Sequence, residues 1–233
     1  GSAIKGMPRG SVIVSTKVGM KVGDAPEDEG TSANAITKQL DASLKRMKTD
    51  YIDLYYLHRY DASAPLPEIL SALQKAVFAG KIRYYGVSNY SAEQLSALLK
   101  AADELHLPRP VVCQPPLSLL KQDALTALIP LCAAEDLAVI PYQIYQGGLL
   151  TGKYRRGAEP PKGSRAEEKP AWLAAPDDAV YDKLEAIEQS AKARGISMSA
   201  YALRWTLEQP AVVSAIVGVK STRQVDDALA ALR

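Results

Sequence analysis

Apolar positions along the chain switch repeatedly between the two-residue rhythm of strands and the three- and four-residue spacing of helices. Val12, Ile13 and Val14 form a short β-branched run that ends at Ser15-Thr16-Lys17. From Thr31 to Lys48, Ile36, Leu40, Leu44 and Met47 recur at helical intervals. Residues 51–58, ending at His58, are rich in strand formers. Leu66 to Ala79 carries Ile69, Leu70, Leu73 and Val77 on one helical face and stops at Gly80, a C-cap signal. Ile82 to Val87 predicts a strand, and Ser91 caps a helix bearing Leu95, Leu98 and Leu99. The alternation continues with a strand over Val111–Gln114, a helix over Asp123–Glu135 and a strand over Leu137–Ile140. Helices follow over Asp178–Arg194 and Ser199–Glu208, then a strand over Val212–Val217 and a helix over Thr222–Leu232.

Strands alternating with helices of this length predict a parallel sheet. Six such units with no proline-rich linker between them predict one α/β domain over residues 1–233, of the (β/α)8 TIM-barrel type with six of the eight units present. The strand ends carry, in order, Lys17, His58, Ser88-Asn89, Gln114, Tyr142 and Gly218. In such a barrel the C-terminal ends of successive strands surround one mouth, where the chemistry is kept. One segment breaks the rhythm. Residues 153–177 hold Pro160, Pro161, Pro170 and Pro176 among basic residues with little periodicity, which predicts a long loop over that mouth.

Composition narrows the classes. A chain of 233 residues that is 47% hydrophobic suits one core-bearing domain. A net charge of +2 offers no field for nucleic acid, and no apolar run reaches the length of a membrane span. The two cysteines cannot form a disulfide framework. Cys132 falls on a helical apolar stripe and Cys113 on the strand face toward the helices, which predicts a reducing, cytoplasmic setting.

Several polar groups are candidates for chemistry, each beside an ordinary reading. Lys17 and His58 facing one mouth would perturb each other, the ammonium lowering the imidazole pKa; singly, they suit a solvated strand-end charge and a satisfied hydrogen-bonder. Ser88, Asn89 and Gln114 supply a hydroxyl and two amides, a set matched to a carboxamide, although Ser-Asn pairs also close turns. Gly147-Gly148 with Lys153 permits close backbone approach to a phosphate, and Tyr142 offers a ring for stacking. Gly218-Val219-Lys220-Ser221 opening a helix makes an anion site.

Together these segments resemble the aldo-keto reductases. The resemblance rests on Ser15-Thr16-Lys17, Tyr51-Ile52-Asp53-Leu54 with His58, Gly80-Lys81-Ile82-Arg83, Gly86-Val87-Ser88-Asn89, Gln114, Gly148 to Tyr154, and Gly218 through Gln224, in the family's order. It implies an NADPH-dependent oxidoreductase that reduces the aldehyde or ketone of a small-molecule substrate to an alcohol. Lys17 and His58 would be two of the family's four catalytic residues. Ser88, Asn89 and Gln114 would hold the nicotinamide carboxamide, with Tyr142 stacked on the ring. Gln143, Gly147, Gly148 and Lys153 would cradle the pyrophosphate, and Arg165 would close over the adenosine phosphate. Lys220 would meet the 2′-phosphate, with Gln224 and Asp227 near the adenine and Gly218 among the cofactor-binding residues. The family's adenine-side asparagine aligns with Ala228.

The family's catalytic Asp and Tyr belong to two N-terminal β/α units that have no counterpart in the sequence. Tyr60 is the nearest alternative acid in sequence. The alternative function is therefore a catalytically weak NADPH-binding or regulatory protein on the same barrel. A sugar-phosphate enzyme on an unrelated barrel is disfavoured by the joint Ser88-Asn89, Gln114 and Lys220 pattern. Six strands would leave open edges beside Val12–Val14 and Val212–Val217, which predicts self-association there.

Overall fold

The computed structural model describes residues 1–173 and 176–232. Strands and helices alternate as β1 Ser15–Val18, α1 Ala33–Met47, β2 Ile52–Leu57, α2 Leu66–Phe78, β3 Ile82–Ser88, α3 Ala92–Glu104, β4 Val112–Gln114, α4 Leu128–Ala134 and β5 Ala138–Val139. Four helices follow: α5 Arg165–Glu168, α6 Asp178–Ala193, α7 Met198–Leu207 and α8 Thr222–Ala230. The sheet has five strands in the order β1-β2-β3-β4-β5, and the pairs β1–β2, β2–β3 and β3–β4 are parallel. This is the α/β architecture of a partial (β/α) barrel. The chain divides into two compact units, Gly1–Gln114 with Ala134–Ala138, and Pro115–Ala133 with Val139–Arg233.

In the first unit each helix covers the sheet with the face its spacing marks out. Ile36 and Leu40 of α1, Ile69 and Leu73 of α2, and Leu95 and Leu98 of α3 are all buried. Burying one such side chain contributes about 1.5–3 kcal/mol. Ser32 caps α1 by accepting from Ala35 N–H, and Ser91 with Gln94 closes a capping box on α3. Alternation along β2 sends Tyr55 toward the helices, where its hydroxyl donates to Ile36 O at 3.2 Å, and turns Tyr56 to the opposite face.

The first strand begins later than its β-branched run suggests. Asp53 accepts from Val14 N–H at 2.9 Å, while Arg9 donates to Asp53 at 2.6 Å and to Val12 O at 3.0 Å. These side-chain bonds join backbone bonds from Asp53 and Leu54 N–H to Val14 O in holding residues 12–14, and the paired register starts at Ser15, opposite Leu54. Ile13 is 78% exposed beside this end of the sheet.

In the second unit, Leu149, Leu150, Tyr154, Leu184, Met198 and Ala202 form one buried cluster. Ile144, Ala200, Leu203 and Ala231 form another. Two sequence expectations are reshaped here. The helix expected over 123–135 splits into a 3-10 turn, Asp123–Leu125, and α4. Pro130 has no N–H and is tolerated only in a first turn, so the α-helix starts just before it. The strand expected over 212–217 is reduced to one parallel bridge, Val212 to Val139. Val213 N–H donates to Val139 O at 3.1 Å and Ile216 N–H to Pro141 O at 2.9 Å. Pro141 lacks the N–H that a continued ladder needs. Among the described residues no helix is long and apolar enough to cross a membrane.

Candidate active site

The first unit gathers its polar strand ends into one network. Lys17 on β1 lies opposite Tyr56 on β2, and its Nζ sits 5.5 Å from the centre of the Tyr56 ring. The ammonium is half-buried, and burial lowers its pKa from the usual lysine range. His58 follows β2, where its N–H donates to Val18 O at 2.8 Å. Burial first, then the charges of Lys17 and Arg59, hold its imidazole below the ordinary 6.5. At neutral pH the ring is therefore uncharged and keeps one N–H to donate.

Ser88, 1% exposed at the end of β3, donates from Oγ to Gln114 O at 2.8 Å. Asn89 takes a left-handed backbone conformation, φ 57°, which asparagine tolerates. Its Nδ2 donates to His58 O at 2.8 Å and to Ser88 Oγ at 3.1 Å. Gln114 at the end of β4 and Tyr56 are both buried; burial raises the Tyr56 pKa and the Gln114 side chain works against that rise. The structure thus brings Lys17, His58, Ser88, Asn89 and Gln114 together, and it adds Tyr56. The sequence signal for Tyr56 was its position two residues before His58, on the same strand face. Tyr60 packs edge-on against Tyr90, ring centres 5.5 Å apart.

The second unit holds the residues expected at phosphates and adenine. Tyr142 is half-buried; its N–H donates to Pro115 O at 3.0 Å and its carbonyl accepts from Leu117 N–H at 3.1 Å. Gln143 is exposed with φ 60°. Gly147 and Gly148, with φ 67° and 103°, lie in a distorted 3-10 segment, Gln146–Thr151. A Cβ on Gly148 would stand 2.9 Å from Lys153 Nζ, so the glycine makes room for that ammonium to lie along the backbone. Ser164 caps α5 by accepting from Glu167 N–H, and Arg165 is the exposed first residue of that helix.

Lys220 donates from Nζ to Gly163 O at 3.0 Å and to Glu168 at 2.6 Å. Its backbone N–H donates to Gln224 Oε1 at 2.6 Å, and Ser221 caps α8. The charges of Lys220, Lys169 and Lys153 all lower the Glu168 pKa, the Lys220 hydrogen bond most of all. Asp227 is exposed; after burial, its charge is the second influence raising the Tyr145 pKa. Gly218 is exposed, and a Cβ there would meet open space. Glu168 went unnoticed in the sequence. Its signal was an acidic pair, Glu167-Glu168, in a mostly basic segment and starting three residues after a Ser cap.

Comparison with known proteins places the chain in a family. The Aldo/keto reductase family profile matches residues 1–233. A protein of Arabidopsis thaliana named as a probable voltage-gated potassium channel subunit beta is 32% identical over 237 residues, covering 100% of this chain and 72% of its own length. The L-glyceraldehyde 3-phosphate reductase of Escherichia coli (strain K12) is 32% identical over 233 residues, 96% of this chain and 66% of its own. The aldo-keto reductase yakc [NADP(+)] of Schizosaccharomyces pombe is 32% identical over 232 residues, again spanning 66% of its length. With a whole-chain profile match and relatives above 30% identity, the chain belongs to the aldo/keto reductase family.

Proposed function

We propose that this protein is an NADPH-dependent oxidoreductase that reduces the carbonyl of a small aldehyde or ketone to an alcohol. The observation that carries this reading is the linked network of Lys17, Tyr56, His58, Ser88, Asn89 and Gln114. The residues present fit the cofactor. Gln114, Ser88 and Asn89 offer the amide and hydroxyl groups a carboxamide requires. Tyr142, in the second unit, offers an aromatic face. Backbone at positive φ over Gly147 and Gly148, with Lys153 alongside, suits a pyrophosphate. Gln143 would join the pyrophosphate group and Arg165 the adenosine phosphate, while Lys220 at a capped helix start, just after Gly218, suits a 2′-phosphate with Gln224 and Asp227 toward the adenine.

When bound, the cofactor supplies a hydride to the carbonyl carbon. The protein's part is to polarise the oxygen and deliver a proton to it. Lys17 carries positive charge in a half-buried setting where it acts strongly on a carbonyl, and neutral His58 can donate its N–H to the same oxygen. Cys113 and Cys132 are both buried thiols, in keeping with a cytoplasmic home.

One observation favours a second reading, a protein that binds NADPH and turns over weakly. Burial raises the pKa of Tyr56, the phenol lying against Lys17. Tyr55, Tyr85 and Tyr90 are raised as well, chiefly by burial. None of these phenols is acidified for proton donation at neutral pH. The test is a fluorescence titration with NADPH, followed by a carbonyl panel that includes L-glyceraldehyde 3-phosphate, for which the Escherichia coli relative is named. Saturable NADPH binding with consumption of reduced nicotinamide is the expected result. Binding without consumption selects the second reading, and absence of binding overturns both.

A further inference from the structure

We infer that Asp61 is the positioning residue for His58, tying the loop after β1 to the loop after β2 so that the imidazole is held in one place. This role rests on the reading of His58 as an N–H donor to the carbonyl oxygen, and adds a residue to it. The Asp61 carboxylate spans the two loops. Its Oδ2 accepts from Thr31 N–H at 2.8 Å and from Thr31 Oγ1 at 3.3 Å, at the end of the loop that follows β1. Its Oδ1 accepts from Ser63 N–H at 3.0 Å and from Ser63 Oγ at 2.6 Å, in the loop that follows β2. Gly30 permits the approach. A Cβ there would stand 2.7 Å from Asp61 Oδ2, and a φ of 76° suits a glycine. Arg59 and Glu29 join the same two loops at 2.5 Å, but that pair is exposed and contributes little.

These bonds close a ring around His58. Val18 O accepts from His58 N–H at 2.8 Å, and Gly19 O accepts from Gly30 N–H at 3.2 Å. Thr31 then meets Asp61, three residues beyond His58, while Asn89 Nδ2 donates to His58 O from the end of β3. Thr31 is fully buried, and it packs where the histidine side chain leaves the backbone. A Cβ on Gly19 would stand 3.5 Å from Thr31 Cγ2 and 3.9 Å from His58 Cβ. Although burial opposes it, hydrogen bonds from Ser63 and Thr31 hold the Asp61 carboxyl below the usual carboxylate range. The group is therefore ionised at neutral pH and accepts only, and all four of its partners donate. An asparagine has a single oxygen and would aim its NH2 at two of those donors, so it cannot replace the carboxylate.

The test compares wild-type protein with Asp61→Asn and with Thr31→Val, which removes one hydroxyl bond and no charge. Turnover of the fastest carbonyl in the panel above should fall about ten- to hundred-fold in Asp61→Asn, the cost of a displaced reacting group, and less in Thr31→Val. NADPH affinity by fluorescence should stay unchanged in both. The imidazole C–H signal of His58, one of two histidines, should report a pKa raised toward 6.5 as water enters, although Lys17 and Arg59 still oppose the rise. Loss of the Asp61 charge by itself would lower that pKa, so a fall overturns the inference. Unchanged turnover and titration overturn it too. Equal losses of turnover and NADPH affinity do the same, because Asp61 would then be a structural residue. If Asp61→Asn does not fold, Thr31→Val decides, a smaller rise supporting the role and no change overturning it. Wild-type protein that consumes no reduced nicotinamide overturns the reading of His58 instead, and the titration alone then decides whether Asp61 places the ring.

Discussion

The two polar clusters of this protein are built in opposite ways. In the first unit Lys17, Tyr56, His58, Ser88 and Gln114 sit on or directly after strands, and Tyr56, Ser88 and Gln114 are buried. Their hydrogen bonds run between neighbouring strands, and desolvation lowers the pKa of both Lys17 and His58. In the second unit Lys153, Glu168 and Lys220 lie on exposed loops and helix ends, and the ion pair between Lys220 and Glu168 leaves its partners 61% and 48% of their side-chain surface. Burial fixes geometry and shifts acidity. Exposure leaves groups solvated and free to exchange partners. The first arrangement suits groups that must meet a reacting carbonyl in one orientation. The second suits groups that must release one anion to accept another.

Breaking the buried cluster should have the larger effects. Lys17→Met is expected to lower carbonyl turnover by about 10²- to 10⁴-fold, the usual cost of a lost acid–base group, with NADPH affinity little changed. Steady-state rates and a fluorescence titration check both halves. Gly86→Ala should cost about 1–3 kcal/mol of stability in urea unfolding, because the new methyl collides with Val112 and the Tyr56 ring. A smaller loss would mean that β3 and β4 yield more readily than a packed sheet should.

The exposed cluster should answer more gently. Lys220→Ala is expected to weaken NADPH about ten-fold while leaving NADH unchanged, as loss of one charge-assisted phosphate contact would. Glu168→Gln should do the reverse and tighten NADPH by about two- to five-fold, since the carboxylate no longer competes for Lys220, and added salt should shrink that gain. Equal affinities for the Glu168 variant and wild type would show that the pair is idle. The smallest effect concerns His58. Removing the Lys17 ammonium relieves repulsion of the imidazolium, so in Lys17→Met the His58 pKa should rise toward 6.5 without reaching it, because burial persists. The imidazole C–H signal in an NMR titration reports the value.

Legibility in the sequence followed the same divide. The spacing of Ile36, Leu40 and Leu44 marked α1, and alternation along residues 52–58 put His58 and Tyr56 on one face, because those periods are properties of the local chain. Tyr56 still went without a role. Its neighbour Lys17 is on another strand, and only the register of β1 against β2 brings them together. Glu168 was hidden for a similar reason, its partner Lys220 lying 52 positions along the chain. The strand expected over 212–217 followed from its β-branched residues. The outcome was decided by Pro141 on the neighbouring segment, which cannot donate to it.

What the sequence determined alone was the alternation of strands and helices, the inward face of each, and the polar residues at the strand ends. These depend on side chains a few positions apart and on the geometry of a single element. Tertiary structure decided which of those residues touch, which are desolvated, and which are already engaged with another side chain. Such properties belong to pairs of distant residues, and they exist only once register, a bare glycine and the surrounding burial have brought the pairs within a few ångströms.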